Sequence, residues 1–319
     1  MADLAIDYGN LNYSTGNKTI LPYISDFIVE ALRNRGNPLK KFTNVSNAIT
    51  KQGDTIRVIV TPNVTSNLLT DGSNRVLDNT TPTAVDCVVS NNRYTSFQVT
   101  DMACVLSGDV NQESLLKGRF SSLLNDIEAD FMGMFQLGIS TNVVGTFGSG
   151  TITEAEIQSA VTKLYNQKAP HGHFHGLLSP ACTTALDGIT NFNAAYVRGY
   201  MPGEMAPAFS EDFGENGKPW YNTLFHMSQS VAQPVVSGVT NVYNVIGHPE
   251  AAVIAMRPID TKANGSMAYV SEPFTDDVSG VAGSIVFAKN FLTFGDEVTF
   301  RCLYGMSIVK EPWLALIQA

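Results

Sequence analysis

The stretch Asp109–Ser140 constrains this chain most, because it is the one long helical pattern in the sequence. Apolar residues recur at Leu116, Phe120, Leu123, Ile127, Phe131, Met134 and Leu137. Every step is three or four residues, so the side chains stack along one stripe of an α-helix. Asp109 or Asn111 can cap the start, since a short polar side chain accepts from an otherwise unpaired backbone N–H. Glu113 falls in the first turn, where the helix dipole favours a negative charge, and Gly138 with the polar residues after Ser140 marks the end. At 1.5 Å per residue such a helix is roughly 40 Å long. A compact globule of this size has a radius of gyration of about 20 Å. The helix would nearly cross the molecule, which makes it a scaffold rather than the wall of a pocket.

The surroundings of that spine are poor in charge. Only 15% of the 319 residues are charged, against the usual quarter in soluble domains, while 44% are hydrophobic. Such a surface is sticky unless other subunits cover it, so the composition points to an obligate oligomer. A net charge of −9 argues against a protein that coats nucleic acid, which would cluster Lys and Arg. Cys87, Cys104, Cys182 and Cys302 are far apart in sequence and show no metal-ligand spacing, so they are expected to be buried free thiols in a reducing compartment. Met1–Asn17 is polar, with no apolar core for a signal peptide, and no run reaches the roughly 20 apolar residues of a membrane helix.

In chain order, a polar arm (residues 1–19) leads into a helical pattern over Ile20–Asn34, stopped by Asn34-Arg35-Gly36-Asn37-Pro38. Leu39–Val45 reads as an extended connection. Gly53–Pro62 is a strand, with Ile56, Val58 and Val60 alternating against Thr55, Arg57 and Ile59. Ala84–Ser90 and Tyr94–Thr100 are two further strands, with Asn91-Asn92 as the expected hairpin turn between them. This excursion has little apolar surface and is marginal on its own. It must lean on something that the same chain need not supply.

After the spine, a second helix is expected over Thr153–Gln167, opened by a Thr153/Glu156 capping box and burying Ile157, Ala160, Val161, Leu164 and Tyr165. His173–Leu178 is a strand, and Ser179-Pro180 starts a short helix to Leu186. Asp187–Ser230 has no clear period. Val235–Val245 and Met267–Val270 read as strands, with a turn of helix at His248-Pro249-Glu250 and an apolar run over Ala251–Ala255. Ser284–Leu292, Glu297–Tyr304 and Met306–Val309 read as closing strands, with Gly295-Asp296 as a turn and Gly305 as a break. The apolar C-terminus, EPWLALIQA, is expected to dock in a sheet.

Three groupings invite a chemical reading. On a strand, His171, His173 and His175 would share a face and could hold zinc or copper, but no carboxylate stands near them in sequence. Asp126 and Asp130 lie one helical turn apart on the spine, as an acid–base pair would, yet they read better as polar contacts that hold loops to it. Ser107-Gly108-Asp109 and Glu211-Asp212 near Glu215 lack the ligand periodicity of a calcium loop. Gly145–Gly150 is Gly-rich but lacks the Lys-Ser/Thr of a phosphate loop, and no Gly-x-Ser-x-Gly elbow occurs. No catalytic, cofactor-binding or metal-ligating residue is therefore expected, and the chain reads as a non-enzyme.

The order of elements is more telling than any motif, and it resembles the major capsid proteins of tailed bacteriophages. Gly53-Asp54-Thr55-Ile56 resembles the start of that family's extended loop, and Phe97-Gln98-Val99-Thr100-Asp101 its return strand. Leu124-Asn125-Asp126 and Ala129-Asp130 are similar to the end of its long helix. Leu177-Leu178-Ser179-Pro180 with Leu186 is similar to its strand-into-helix junction, and Leu303-Tyr304-Gly305 with Val309 and Pro312 to its closing strand.

The resemblance implies an α+β capsid fold. It implies an N-terminal arm over 1–45, an extended β-hairpin loop over 46–104, a peripheral domain over 105–186 and 284–319 built on the spine helix 109–140, and an axial domain over 187–283. It implies a virion protein, made in the bacterial host cytoplasm, that self-assembles in hexamers and pentamers into an icosahedral shell around packaged double-stranded DNA, with only weak non-specific DNA contact. Its implied partners are a separate scaffolding protein and a portal protein at one vertex, with no membrane. A cleaved scaffolding segment is not expected ahead of the arm. Some members link a loop lysine covalently to a neighbour, but no lysine lies between Gln52 and Leu116, so no such crosslink is expected here. The alternatives are an encapsulin-like bacterial nanocompartment shell, or a metal-dependent enzyme using His171, His173 and His175.

Overall fold

The computed structural model describes residues 38–46, 55–60, 68, 71, 74, 81–100, 112–148, 150–189, 220–236, 238–259, 269–275, 281–290 and 295–319. The expected helix over Ile20–Asn34, the cap at Asp109 or Asn111 and the acidic stretch at Glu211–Glu215 lie outside them.

The spine is a helix of 27 residues, α1 (Gln112–Gly138). It buries Phe120, Leu123, Leu124, Ile127, Phe131, Met132 and Phe135, and Ile139 just beyond its end. The expected stripe holds from Phe120 to Phe131 and then departs from the pattern. Leu137 is 87% exposed and Met134 only partly covered, while Phe135 and Ile139 are buried instead. Two successive steps of three from Phe131 to Leu137 rotate the stripe by about 120°, whereas two steps of four keep it on the core face. The aromatic rings decide between them: Phe131, Phe135 and Phe42 form one cluster with centroids 4.9–5.4 Å apart. Phe42 follows a 3₁₀ turn (Pro38–Lys41) and precedes β1 (Thr43–Asn44), where an extended connection was expected. The first residues of the chain described here therefore fasten to the spine.

The spine lies on a six-stranded sheet made of β1, β4 (Asn91–Thr100), β11 (Ala252–Arg257), β12 (Tyr269–Thr275), β13 (Ala282–Asn290) and β14 (Gly295–Ile308). Phe120 packs edge-on against Phe274 and Phe300, which are on β12 and β14. The closing strands are therefore the spine's partner, as the sequence leads one to expect. Strand β14 runs unbroken for 14 residues and pairs antiparallel with β4, β13 and β11. Gly305 does not break it. A side chain at Gly305 would collide with the backbone of Val88 and Val89, so the glycine admits a crossing chain rather than ending a strand. Gly295 and Asp296 likewise belong to β14, opposite Asn290 and Lys289, instead of forming the turn.

The crossing chain comes from a separate two-stranded ribbon of β2 (Thr55–Val60) and β3 (Thr83–Val88). Asn91 and Asn92 do not form the expected hairpin turn. Strand β3 pairs with β2, and Asn91 and Asn92 open β4, opposite Tyr304 and Leu303. The chain passes from ribbon to sheet at Val89-Ser90, because Val89 and Cys87 are both buried against Val253, Ala255 and Leu303.

A second, five-stranded sheet has the order β5 (Val143–Gly145), β15 (Leu314–Gln318), β10 (Tyr243–Gly247), β6 (Phe174–Leu178), β7 (Thr223–Met227). The C-terminal strand is docked as expected, and it is buried between β5 and β10. Helix α2 (Glu154–Asn166) covers β15 and β5. Its capping box is present, with Thr153 accepting from Glu156 N and Glu156 accepting from Thr153 N at 2.8 Å. Tyr165 is partly exposed, and the other four expected residues are buried. Helix α3 (Pro180–Asp187) begins at the Ser179 cap, and the buried Asn244 side chain accepts from Ser179 N at 2.9 Å. The expected strand over Val235–Val245 is divided into β8 (Val235–Val236) and β9 (Val239–Thr240), which form a small exposed hairpin, and β10.

The sheets divide the chain differently from the expected 187–283 domain. From that interval β7 and β10 pair with β6 and β15, while β11 and β12 pair with β14 and β13. Strand order in a mixed α+β fold follows which buried faces match, not sequence neighbourhood, and β15 returns to the far sheet.

Candidate functional site

Two features of this architecture face outward and link elements distant in sequence. One is a polar node on the spine. Arg93 on β4 donates through Nε and Nη2 to both carboxylate oxygens of Asp130 on α1, at 2.8 and 2.6 Å. Tyr304 of β14 donates its hydroxyl to the same carboxylate and accepts from Arg93 Nε at 3.0 Å. Asp126, one turn earlier, stands 3.5 Å from Arg93 Nη1. Asp126 and Asp130 thus share a cation and hold a strand to the helix. They do not form an isolated acid–base pair.

Partial burial works against ionisation of Asp130, but the Arg93 and Tyr304 hydrogen bonds outweigh it and hold the carboxyl below its ordinary value. The Tyr304 hydroxyl is pushed upward, first by burial and then by Asp130, so it stays a donor. The sequence signal for Asp130 was its spacing. Arg93 was hidden because it adjoins the asparagines read as a turn. An open cleft of about 740 Å³ runs alongside, lined by Ser90–Arg93, Ala129, Asp130, Gly133, Met134, Gln136, Leu137 and Tyr304.

The second feature is the β2–β3 ribbon. Its strands alternate half-buried with exposed residues, and Ile59 is 69% exposed on the open face. Arg57 and Asp86 pair directly across the two strands at 2.9 Å, in solvent. Near its root, Cys87 is buried with a thiol pushed up to about 11 by desolvation. Among the described residues the ribbon pairs with no third strand, and it turns an apolar residue outward.

The histidines do not converge. His171 and His173 are exposed ahead of β6, and His173 Nδ1 lies 3.2 Å from Asn222 Oδ1. His175 turns inward on β6 and meets His226 of β7, with Nδ1 3.0 Å from Nε2. His248 caps the turn at Pro249–Ala251 through Nδ1. Among the described residues no group of three or more His, Cys, Asp or Glu side chains is arranged to hold a metal ion.

No family model matches the sequence, and no curated protein matches it by sequence. Solved structures do match it. A chain of Mycobacterium phage Che8 superposes with a TM-score of 0.58 at 14% identity, covering 87% of this chain and 89% of that one. The capsid structure of the cyanophage P-SCSP1u superposes at 0.55 with 12% identity, over 87% and 86% of the two chains. The mature capsid of bacteriophage PhiM1 gives 0.54 and 12%, over 89% and 87%. At such identities the likeness is one of fold, and it extends over nearly the whole of each chain. The protein has the fold of phage capsid proteins.

Proposed function

We propose that this chain, folded as phage capsid proteins are, is the major capsid protein of a tailed bacteriophage, assembling with copies of itself into the icosahedral shell that encloses packaged double-stranded DNA. The observation that carries the reading is the two-way coverage of the fold match, 86–89% of each chain in all three structures. The exposed ribbon supports it independently, since its burial pattern suits a neighbour's surface better than solvent. In this reading 1–45 is the arm and 46–104 the extended loop. The spine with β11–β14 is the peripheral domain, to which β1 of the arm and the return strand β4 of the loop are paired, and the five-stranded sheet with α2 and α3 forms the core of the axial domain. The expected division at 105–186, 187–283 and 284–319 is adjusted to follow the sheets.

The role of the polar node is then mechanical. Arg93 leads the return strand of the loop into the sheet, and its bidentate bond to Asp130 fixes where that strand leaves the spine. Hexamers and pentamers, a separate scaffolding protein, a portal at one vertex and weak contact with DNA belong to the same proposal, as does synthesis in the host cytoplasm. The net charge of −9 suits an inner surface that does not grip packaged DNA.

A negative-stain micrograph of the full chain, expressed alone and with a scaffolding protein, tests the reading: closed icosahedral particles are expected. A monodisperse monomer under every assembly condition would overturn it. Particles whose interior holds a protein cargo and no DNA would favour the nanocompartment reading instead.

A further inference from the structure

The His175–His226 contact lies outside the node and the ribbon, and neither the shell reading nor the packing of the sheet requires it. His226 is buried on β7 and His175 half-buried on β6, two register positions apart and on the same face of neighbouring parallel strands. Their ring nitrogens are 3.0 Å apart, close enough for one hydrogen bond in which one neutral ring donates and the other accepts. Among the described residues β7 is the terminal strand of its sheet and pairs with β6. Elsewhere along that ladder, Phe225 packs on Gly176, where a Cβ would come within 2.7 Å of the ring.

We propose that β7 is an acid-released edge strand, latched at neutral pH by the His175–His226 hydrogen bond. One added proton leaves a cation in a buried site. A second leaves two N–H donors facing each other at hydrogen-bond distance, where no bond can form. Among the described residues, the charged and titratable groups acting on the pair come from three directions: Lys41 from the 3₁₀ turn before β1, His173 from the residue preceding β6, and His248 from the cap before β11. All three oppose a positive charge. Burial opposes it most strongly, holding His175 down to about 4 and His226 down to about 2. Closed β7 therefore keeps both rings neutral where a released strand would protonate them. The balance shifts to the released form as pH falls below the ordinary histidine value of about 6.5.

Hydrogen–deuterium exchange on the full-length chain tests this, in free subunits or in particles, so its outcome is independent of the shell reading. Protection of 223–227 should fall by roughly two to three orders of magnitude between pH 7 and pH 5, after correction for intrinsic exchange. Protection of β10, paired on both sides, should hold. In the double variant His175→Gln/His226→Gln, whose amides can still bond but do not titrate, the pH dependence should vanish. Equal loss at β7 and β10, or a slope that survives in the double variant, overturns the proposal. If that variant fails to fold, exchange at the histidine C2–H of the wild-type protein decides. Values for His175 and His226 well below 6.5 support the latch, and ordinary values refute it.

Discussion

The face of β14 under the spine and the face of the β2–β3 ribbon follow the same two-residue alternation, yet they have opposite fates. In β14, Phe300 and Tyr304 are sealed beneath a helix whose aromatic residues meet them or their neighbours. In the ribbon, Ile56 and Val58 are half-covered at one end only, and Ile59 points into solvent. Periodicity alone says that a strand has two faces. Whether a face is core or contact surface depends on what the rest of the chain lays over it. The spine side holds the subunit together, and in the proposed shell the ribbon is the surface offered to a neighbour.

The largest expected effect lies on the spine side. Phe131→Ala removes a fully buried ring from the Phe42–Phe131–Phe135 cluster and should cost about 3–5 kcal/mol of subunit stability, read by chemical denaturation. A loss below about 1 kcal/mol would mean the spine is not the core element described here.

Charge reversal at the node comes next. Asp130→Lys sets a second cation against Arg93 and leaves the Tyr304 hydroxyl without its acceptor. It should disturb folding or assembly, and normal shells from this variant would remove the node from the account. The milder Asp130→Asn should cost about 1–2 kcal/mol, a charged hydrogen-bond value reduced because the carboxylate is 35% exposed.

The two sheets should also part company in acid. Asp130 has a lowered folded value, so its stabilisation is complete above about pH 4 and is lost as pH falls through that lower value. The histidine pair has lowered values too, and its contribution begins to fall away already below about pH 6.5. Between pH 6 and pH 4 the β7 edge of the five-stranded sheet should therefore soften while the spine sheet holds. Segment-resolved exchange showing the reverse order would contradict this.

The smallest effect is expected on the ribbon. Arg57→Ala breaks a solvent-exposed cross-strand pair and should leave the unfolding midpoint of the subunit unchanged.

Much of this was legible in sequence where a local signal and the fold agree. Thr153 with Glu156, and Ser179 with Pro180, start their helices because capping satisfies backbone donors whatever lies beyond. The misreadings fall where distant chain overrides local chemistry. Asn91-Asn92 has turn composition but is drawn into β4 by pairing with Tyr304 and Leu303. Gly305 looks like a breaker and is instead a passage for Val88-Val89. Leu137 continues a helical stripe that Phe135 takes over through Phe42, a residue ninety-three positions earlier (135 − 42). His171, His173 and His175 share a parity, but His226, on another strand, selects one of them.

The division of labour between spine and ribbon is tested most directly by Ile59→Asp, a change on the exposed face of β2. Sedimentation of the purified full chain should show wild type in particles and the variant as free subunits, with the same denaturation midpoint for both. Shells of wild-type yield from Ile59→Asp, or a subunit that no longer folds, would contradict the claim that this ribbon serves assembly rather than the fold.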